Sequence, residues 1–201
     1  MIRVGLTGGI GAGKSQVLSL LRRQGVPTLS TDDLAHQCLA RRDVRRILAR
    51  RFGPQVLDGR GNLDRSRLAD RAFSSPRDLR FLEGVLHPRI RREVERWETA
   101  QGRKARAPRL TVVEVPLLFE KGWDVFFDGV LCVSTPPSIR KQRLAVRGWD
   151  RAEIRRREGG QWPPARKDRW ADWVLLNDGS VDRLAGRVRA WRLACSGKGT
   201  R

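Results

Sequence analysis

The sequence predicts an α/β fold, a doubly wound parallel sheet interrupted by a helical region, and three observations carry that prediction. Continuous apolar runs at positions 110–115 and 130–133 have the character of parallel strands covered on both faces, and the short runs at 2–7 and 174–176 read as further strands. They alternate with segments of helical period, the arrangement of a parallel α/β sheet. Positions 32–109, by contrast, are rich in helix formers and arginine.

The elements follow in order. Positions 2–7 form a buried strand that ends directly in glycines, and a helix begins near Lys14, with Val17, Leu18, Leu20 and Leu21 as its apolar face. Gly25 and Pro27 stop it, and positions 26–30 form a second strand. Turn signals at Gly53-Pro54, positions 58–61 and Ser74-Ser75-Pro76 divide the helical region. Leu79, Leu82, Val85, Leu86, Ile90 and Val94 recur at helical spacing, although Pro88 should kink or interrupt that run. Positions 174–176 make a last strand before Asn177-Asp178-Gly179, a closing helix covers 181–194, and 196–201 form a mobile tail.

The chain has 201 residues, 39% hydrophobic and 32% charged, enough clustered apolar content to bury a core and exclude wholesale disorder. Lys and Arg number 42 against 22 Asp and Glu, a net charge of +20 that favours phosphates, nucleic acid or acidic headgroups as partners. Arg supplies 36 of the basic residues, a bias that phosphate recognition and coding preference both produce. Cys38, Cys132 and Cys195 are widely spaced, with His36 and His87 the only imidazoles, so neither a zinc site nor a disulfide framework is legible. No signal-type apolar region opens the chain and no stretch reaches the ~18 apolar residues that span a bilayer, so a cytoplasmic location without a membrane partner is expected. Nothing in the sequence sets an oligomeric state.

Gly8-Gly9-Ile10-Gly11-Ala12-Gly13-Lys14-Ser15 fits the phosphate-loop pattern of glycine, four residues, Gly-Lys-Ser, in its proper place between a strand and a helix. Such glycines let successive amides turn inward, and the helix N-terminus adds partial positive charge where phosphate oxygens rest. Lys14 would reach the β- and γ-phosphates, and Ser15 offers a hydroxyl to the Mg²⁺ that bridges them. The competing reading, a tight turn with an incidental Lys-Ser, requires pattern and context to coincide by chance. The motif points to a nucleoside triphosphate site and leaves the acceptor open.

Asp32 and Asp33 follow the second strand, at the sheet's carboxyl edge where open α/β folds bind ligands. One could accept a hydroxyl proton, or both could cap a helix beginning at Leu34. Glu114, at the end of the third strand, fits either water-mediated metal support or a plain strand end. Arg140, Arg143 and Arg147 fall three and four apart, on one helical face. They suit either a lid over phosphates or a solvated basic face.

Four further motifs carry a resemblance: Asp32-Asp33-Leu34-Ala35-His36, Leu86-His87-Pro88-Arg89-Ile90, Val115-Pro116-Leu117-Leu118-Phe119-Glu120, and Arg157 with Gln161. With Leu6 to Gly11 and Asn177-Asp178-Gly179, they make the chain similar to the dephospho-coenzyme A kinase family over almost its whole length. The resemblance implies Mg²⁺-dependent transfer of the ATP γ-phosphoryl group to the ribose 3′-hydroxyl of dephospho-CoA. It implies a P-loop kinase core at 1–31, 110–135 and 172–195, a helical acceptor-binding region at 32–109 and a small helical lid at 136–171. Asp32 would then orient or deprotonate the 3′-hydroxyl, with Lys14 and Arg143 as its catalytic companions. ATP would lie on Gly9, Ile10, Gly11, Ala12, Gly13, Lys14, Ser15 and Gln16, with Arg143 and Asn177 nearby. The acceptor would meet Asp32, His87, Pro116, Leu117, Leu118 and Glu120, together with Arg157 and Gln161.

Two departures accompany the resemblance. The family has Asp-Ala-Asp where this chain has Ser30-Thr31-Asp32, which predicts altered efficiency before a different reaction. Gly159-Gly160 replaces small helix formers and should weaken the helix that carries Arg157.

Two other readings compete. The net charge and seven tryptophans, at 97, 123, 149, 162, 170, 173 and 191, suit a nucleic-acid binder with a vestigial phosphate loop. No aromatic-bearing strand motif supports it, and the reading reduces to non-specific binding at low salt. The second is a kinase for a nucleoside monophosphate or another small alcohol.

Overall fold

The computed structural model describes residues 1–197, the side chains of positions 196 and 197 apart. In chain order the elements are β1 (Ile2–Gly8), α1 (Lys14–Arg23), β2 (Thr28–Ser30), α2 (Thr31–Ala40), α3 (Arg42–Phe52), α4 (Arg65–Ala72) and α5 (Pro76–Gly102). After these come β3 (Leu110–Glu114), β4 (Gly129–Ser134), α6 (Pro137–Val146), α7 (Arg151–Glu158), α8 (Pro164–Trp170), β5 (Trp173–Leu176) and α9 (Val181–Gly197). Two compact units result, one of Met1–Ser30 with the chain from Ala100 onward, the other of Thr31–Thr99.

The first unit is built on a five-stranded sheet in the order β2-β3-β1-β4-β5, every neighbouring pair parallel. Alternation along β1 sends Val4 and Leu6 to one face, where they pack with Val17 and Leu21 of α1, Leu131 of β4 and Leu184 and Val188 of α9. Each such fully buried aliphatic side chain contributes about 1.5–3 kcal/mol relative to exposure. Toward the other face, Leu118 and Phe127 crowd against Gly5, and Thr7 Oγ1 donates to the Pro116 carbonyl at 3.3 Å. With β1 central and its neighbours reached by crossovers on either side, the carboxyl end of β1 lies at the switch point of the sheet.

The second unit is all helical. Val44, Leu48 and Phe52 of α3 pack with Val56, with Leu68 and Ala72 of α4, and with Val85 of α5. Phe52 meets the edge of Phe81 at 6.0 Å between ring centroids. Its arginines lie largely at the surface, several paired with carboxylates, as in Arg51 with Asp78 at 2.5 Å and Arg89 with Asp43 at 3.4 Å.

Three local expectations change. α2 starts at Thr31, not at Leu34, because the chain enters the helix directly from β2; Asp32 and Asp33 therefore sit inside its first turn, where helix-end charge favours carboxylates. Pro88 does not interrupt α5, whose Val85 carbonyl accepts an additional donor at 2.8 Å from the Arg89 side chain one turn on. Of the expected tail 196–201, positions 196 and 197 belong to α9, and 198–201 lie outside the described residues. Gly159 ends α7, so Arg157 stands in its last turn and Gln161 beyond it.

Candidate active site

The loop between β1 and α1 is shaped by its glycines. Gly13 holds φ +93°, a left-handed conformation that costs other residues about 1–2 kcal/mol, and leads straight into α1 at Lys14. Behind the loop, the Ala12 carbonyl collects three donors: Asn177 Nδ2 at 2.8 Å, Thr135 Oγ1 at 2.9 Å and Arg143 Nη1 at 3.4 Å. In a trans peptide the carbonyl and the following N–H point opposite ways, so these donors aim the Gly13 N–H away from themselves. The N–H groups of Gly11, Gly13 and Ser15 donate to no group among the described residues. Orphaned amides at a helix start are an anion cradle.

The other loop residues complete the cradle. Ile10 and Ala12 are buried and fix the loop from below. Lys14 Nζ folds back onto the Gly8 and Gly9 carbonyls at 3.1 and 3.4 Å. Ser15 is exposed at the second position of α1, and its hydroxyl has no partner among the described residues. Gln16 is half-buried one residue further. Arg143 Nη2 also donates to Asn177 Oδ1 at 3.1 Å, so the arginine of α6 and the asparagine after β5 support each other behind the loop. Burial and the neighbouring Arg147 charge push the Arg143 pKa below the usual arginine value. Arg147 itself, just past α6, is exposed.

Glu114 closes β3 as a buried carboxylate, opposite Leu6 of β1 on one side and Ser30 of β2 on the other. Beyond it, residues 116–120 are held by a lysine that sequence reading missed. Lys167 of α8 is wholly buried; its Nζ lies 2.9 Å from Glu120 Oε1 and donates to the Pro116 carbonyl at 2.7 Å. Glu120 Oε1 also accepts the Trp162 N–H at 2.6 Å, and Phe119 stacks on the Trp162 ring. Leu118 is fully buried, while Pro116 and Leu117 are half-buried. Asp168 adds a second tie between α8 and the sheet by accepting from Ser134 Oγ at 2.7 Å and Cys132 Sγ at 3.2 Å. α8, inside the expected lid range, is thereby fixed to β4.

Burial and Asp168 push the Cys132 thiol far above its usual range, which leaves it an inert protonated group. Cys38 and Cys195 are likewise buried and form no disulfide. Arg157 pairs with Glu153 and lies over the Trp149 ring at 4.3 Å. Gln161 is half-buried, its N–H bonded to the Glu158 carbonyl.

In the helical unit, Asp32 is exposed and its carboxylate has no hydrogen bond or ion pair among the described residues. His36 meets Arg65, and His87 is half-buried on α5. No group of three or more His, Cys, Asp or Glu among the described residues could hold a metal ion, and none of their helices is long and apolar enough to cross a membrane.

Comparison with known proteins gives a consistent result. A family model described as dephospho-CoA kinase matches residues 2–183. The chain is 42% identical over 194 residues to the dephospho-CoA kinase of Thermus thermophilus, covering 94% of this chain and 89% of that one. To the dephospho-CoA kinase of Symbiobacterium thermophilum it is 38% identical over 199 residues, covering 98% and 82%. The crystal structure of TT1252 from Thermus thermophilus superposes with a TM-score of 0.84 at 40% identity, covering 98% of each chain. Dephospho-CoA kinase from Campylobacter jejuni (TM-score 0.71, 22% identity, 96% of each chain) and shikimate kinase from Acinetobacter baumannii (0.52, 17%, covering 98% and 96%) share the fold.

Proposed function

The chain belongs to the dephospho-CoA kinase family, and we propose that it holds ATP in the amide cradle of residues 9–15 while Asp32 directs the 3′-hydroxyl of the dephospho-CoA ribose at the γ-phosphoryl group. The reaction is ATP-dependent phosphoryl transfer to an alcohol, giving CoA and ADP. The observation that carries the donor half is the Ala12 carbonyl with its three donors, which turns the Gly13 N–H away from them and toward the position of phosphate oxygens.

Lys14 leaves the Gly8 and Gly9 carbonyls to meet the β- and γ-phosphates, and Arg143 and Asn177 keep the loop in shape beneath them. Mg²⁺ would be held by ATP phosphate oxygens and by the Ser15 hydroxyl, which has no partner among the described residues, and no acidic metal cluster lies among those residues. Glu114 supports that ion through water. Bound there, Mg²⁺ neutralises charge developing on the transferred group.

Asp32 suits its role because it is an exposed, unpartnered carboxylate two residues past the carboxyl end of β2. His87, Pro116 and Leu117 contact the acceptor, joined by Arg157 and Gln161. Leu118 and Glu120 act through the loop they anchor, since one is buried in the core and the other is engaged by Lys167. The protein works in the cytoplasm, and its +20 charge gives it incidental affinity for nucleic acid that moderate salt abolishes.

The test is ADP release from Mg·ATP that depends on dephospho-CoA. Phosphorylation of AMP, CMP or gluconate by purified protein that leaves dephospho-CoA untouched overturns the assignment.

A further inference from the structure

Arg140 of α6 stands against the phosphate loop with its charge already taken. A Cβ on Gly9 would lie 2.6 Å from Arg140 Nη1, so the guanidinium rests on the loop backbone at the residue whose carbonyl Lys14 reaches. Arg140 Nη2 donates to Glu158 Oε1 at 3.0 Å, while its Nε is buried without a partner. The two side chains differ in exposure, 14% for Arg140 and 39% for Glu158. Glu158 is also the last residue of α7, where the helix end carries partial negative charge and disfavours a carboxylate.

We propose that Arg140 is a further phosphate-binding residue and that Glu158 is its resident counter-anion, displaced by the ATP triphosphate. The proposal rests on the ATP-binding reading of residues 9–15. A triphosphate in the cradle and the Glu158 carboxylate compete for one guanidinium, and like charges repel at that range. Arg140 is already packed against the loop, whereas Glu158 is the more exposed and less favourably placed partner. The exchange therefore moves the glutamate and leaves the arginine where it is. The buried Nε–H gains an acceptor, and each chain carboxylate released is replaced by a phosphate oxygen on the same cation.

The experiment measures equilibrium binding of Mg·ATP without acceptor, beside dephospho-CoA-dependent ADP release by the unaltered protein and thermal melts of each variant. Glu158→Gln is expected to tighten ATP binding about two- to fivefold at low salt, the scale of a partly exposed ion pair. Arg140→Gln should weaken it roughly tenfold, and in that background Glu158→Gln should change nothing further. If Glu158→Gln is folded yet leaves ATP affinity unchanged or lowers it, while the unaltered protein binds ATP and turns over, the pair is structural and the proposal fails. If the unaltered protein does not bind Mg·ATP, the reading of the loop itself fails. Should Arg140→Gln not fold, the Glu158→Gln result alone decides the matter.

Discussion

Lys167 Nζ lies 2.9 Å from Glu120 Oε1, the lysine fully buried and the glutamate 8% exposed. The pair and the Pro116 carbonyl join α8 to the segment after β3, across the sheet face opposite α1 and α9. Removing one partner leaves an uncompensated buried charge. Lys167→Met is therefore expected to destabilise the protein by about 3–5 kcal/mol in urea titrations, and the double variant Lys167→Met, Glu120→Leu to recover much of that loss. A single-variant loss below about 1 kcal/mol would show that water already reaches the pair.

Asp32 and Lys14 should fail in different ways. Lys14→Ala removes a phosphate contact and is expected to lose most ATP affinity together with turnover. Asp32→Asn keeps the side chain's size and removes its proton acceptor, so turnover should fall about 10²- to 10⁴-fold with nucleotide binding retained. Equal loss of ATP affinity in Asp32→Asn assigns that carboxylate a structural role in the first turn of α2 instead.

The division between what the sequence disclosed and what it concealed follows from range. Residues 8–15 were legible because every group in a phosphate loop is local: the glycines, the lysine and the helix start lie within one turn of chain. β3 and β4 were legible because burial makes them continuous apolar runs, whereas β5, which exposes Val174 and Leu176, was legible only as a short apolar segment before a turn. Lys167 was not, since positions 164–170 present several cations at similar spacing and nothing local marks the one whose acid partner lies beyond β3. The Ala12 carbonyl was hidden for the same reason, its donors coming from the ends of β4 and β5 and from α6. The start of α2 is open in the sequence because two aspartates read as well as caps as they do as first-turn residues, and only the end of β2 distinguishes the two.

Acid stability should depend on Asp128. Its carboxylate accepts from the Arg3 side chain at 2.8 Å and from the Arg3 N–H at 2.8 Å, which holds its pKa below the ordinary value of 3.8. A depressed folded pKa means stabilisation that is fully present above pH 3.8 and is lost as pH falls through the lower folded value. Asp128→Asn is expected to lower stability near neutral pH and to flatten its dependence on pH below about 4. Unfolding titrations at several pH values that give parallel curves for both proteins contradict this account.

Gly13 and Asn177 should show a coupled response. Asn177 Nδ2 lies where a Cβ on Gly13 would project, and Gly13 itself is left-handed at φ +93°. Gly13→Ala thus meets both a clash and backbone strain, the strain alone costing about 1–2 kcal/mol. Asn177→Ala removes one of three donors to the Ala12 carbonyl and the acceptor of Arg143, a loss of about 1–3 kcal/mol that should appear as weaker ATP binding. Combining them relieves the clash and leaves the strain, so the double variant should bind ATP better than the sum of the single losses implies. Strict additivity in calorimetric ATP titrations would mean that the loop bends away from Asn177 at no cost, and that the asparagine does not set its shape.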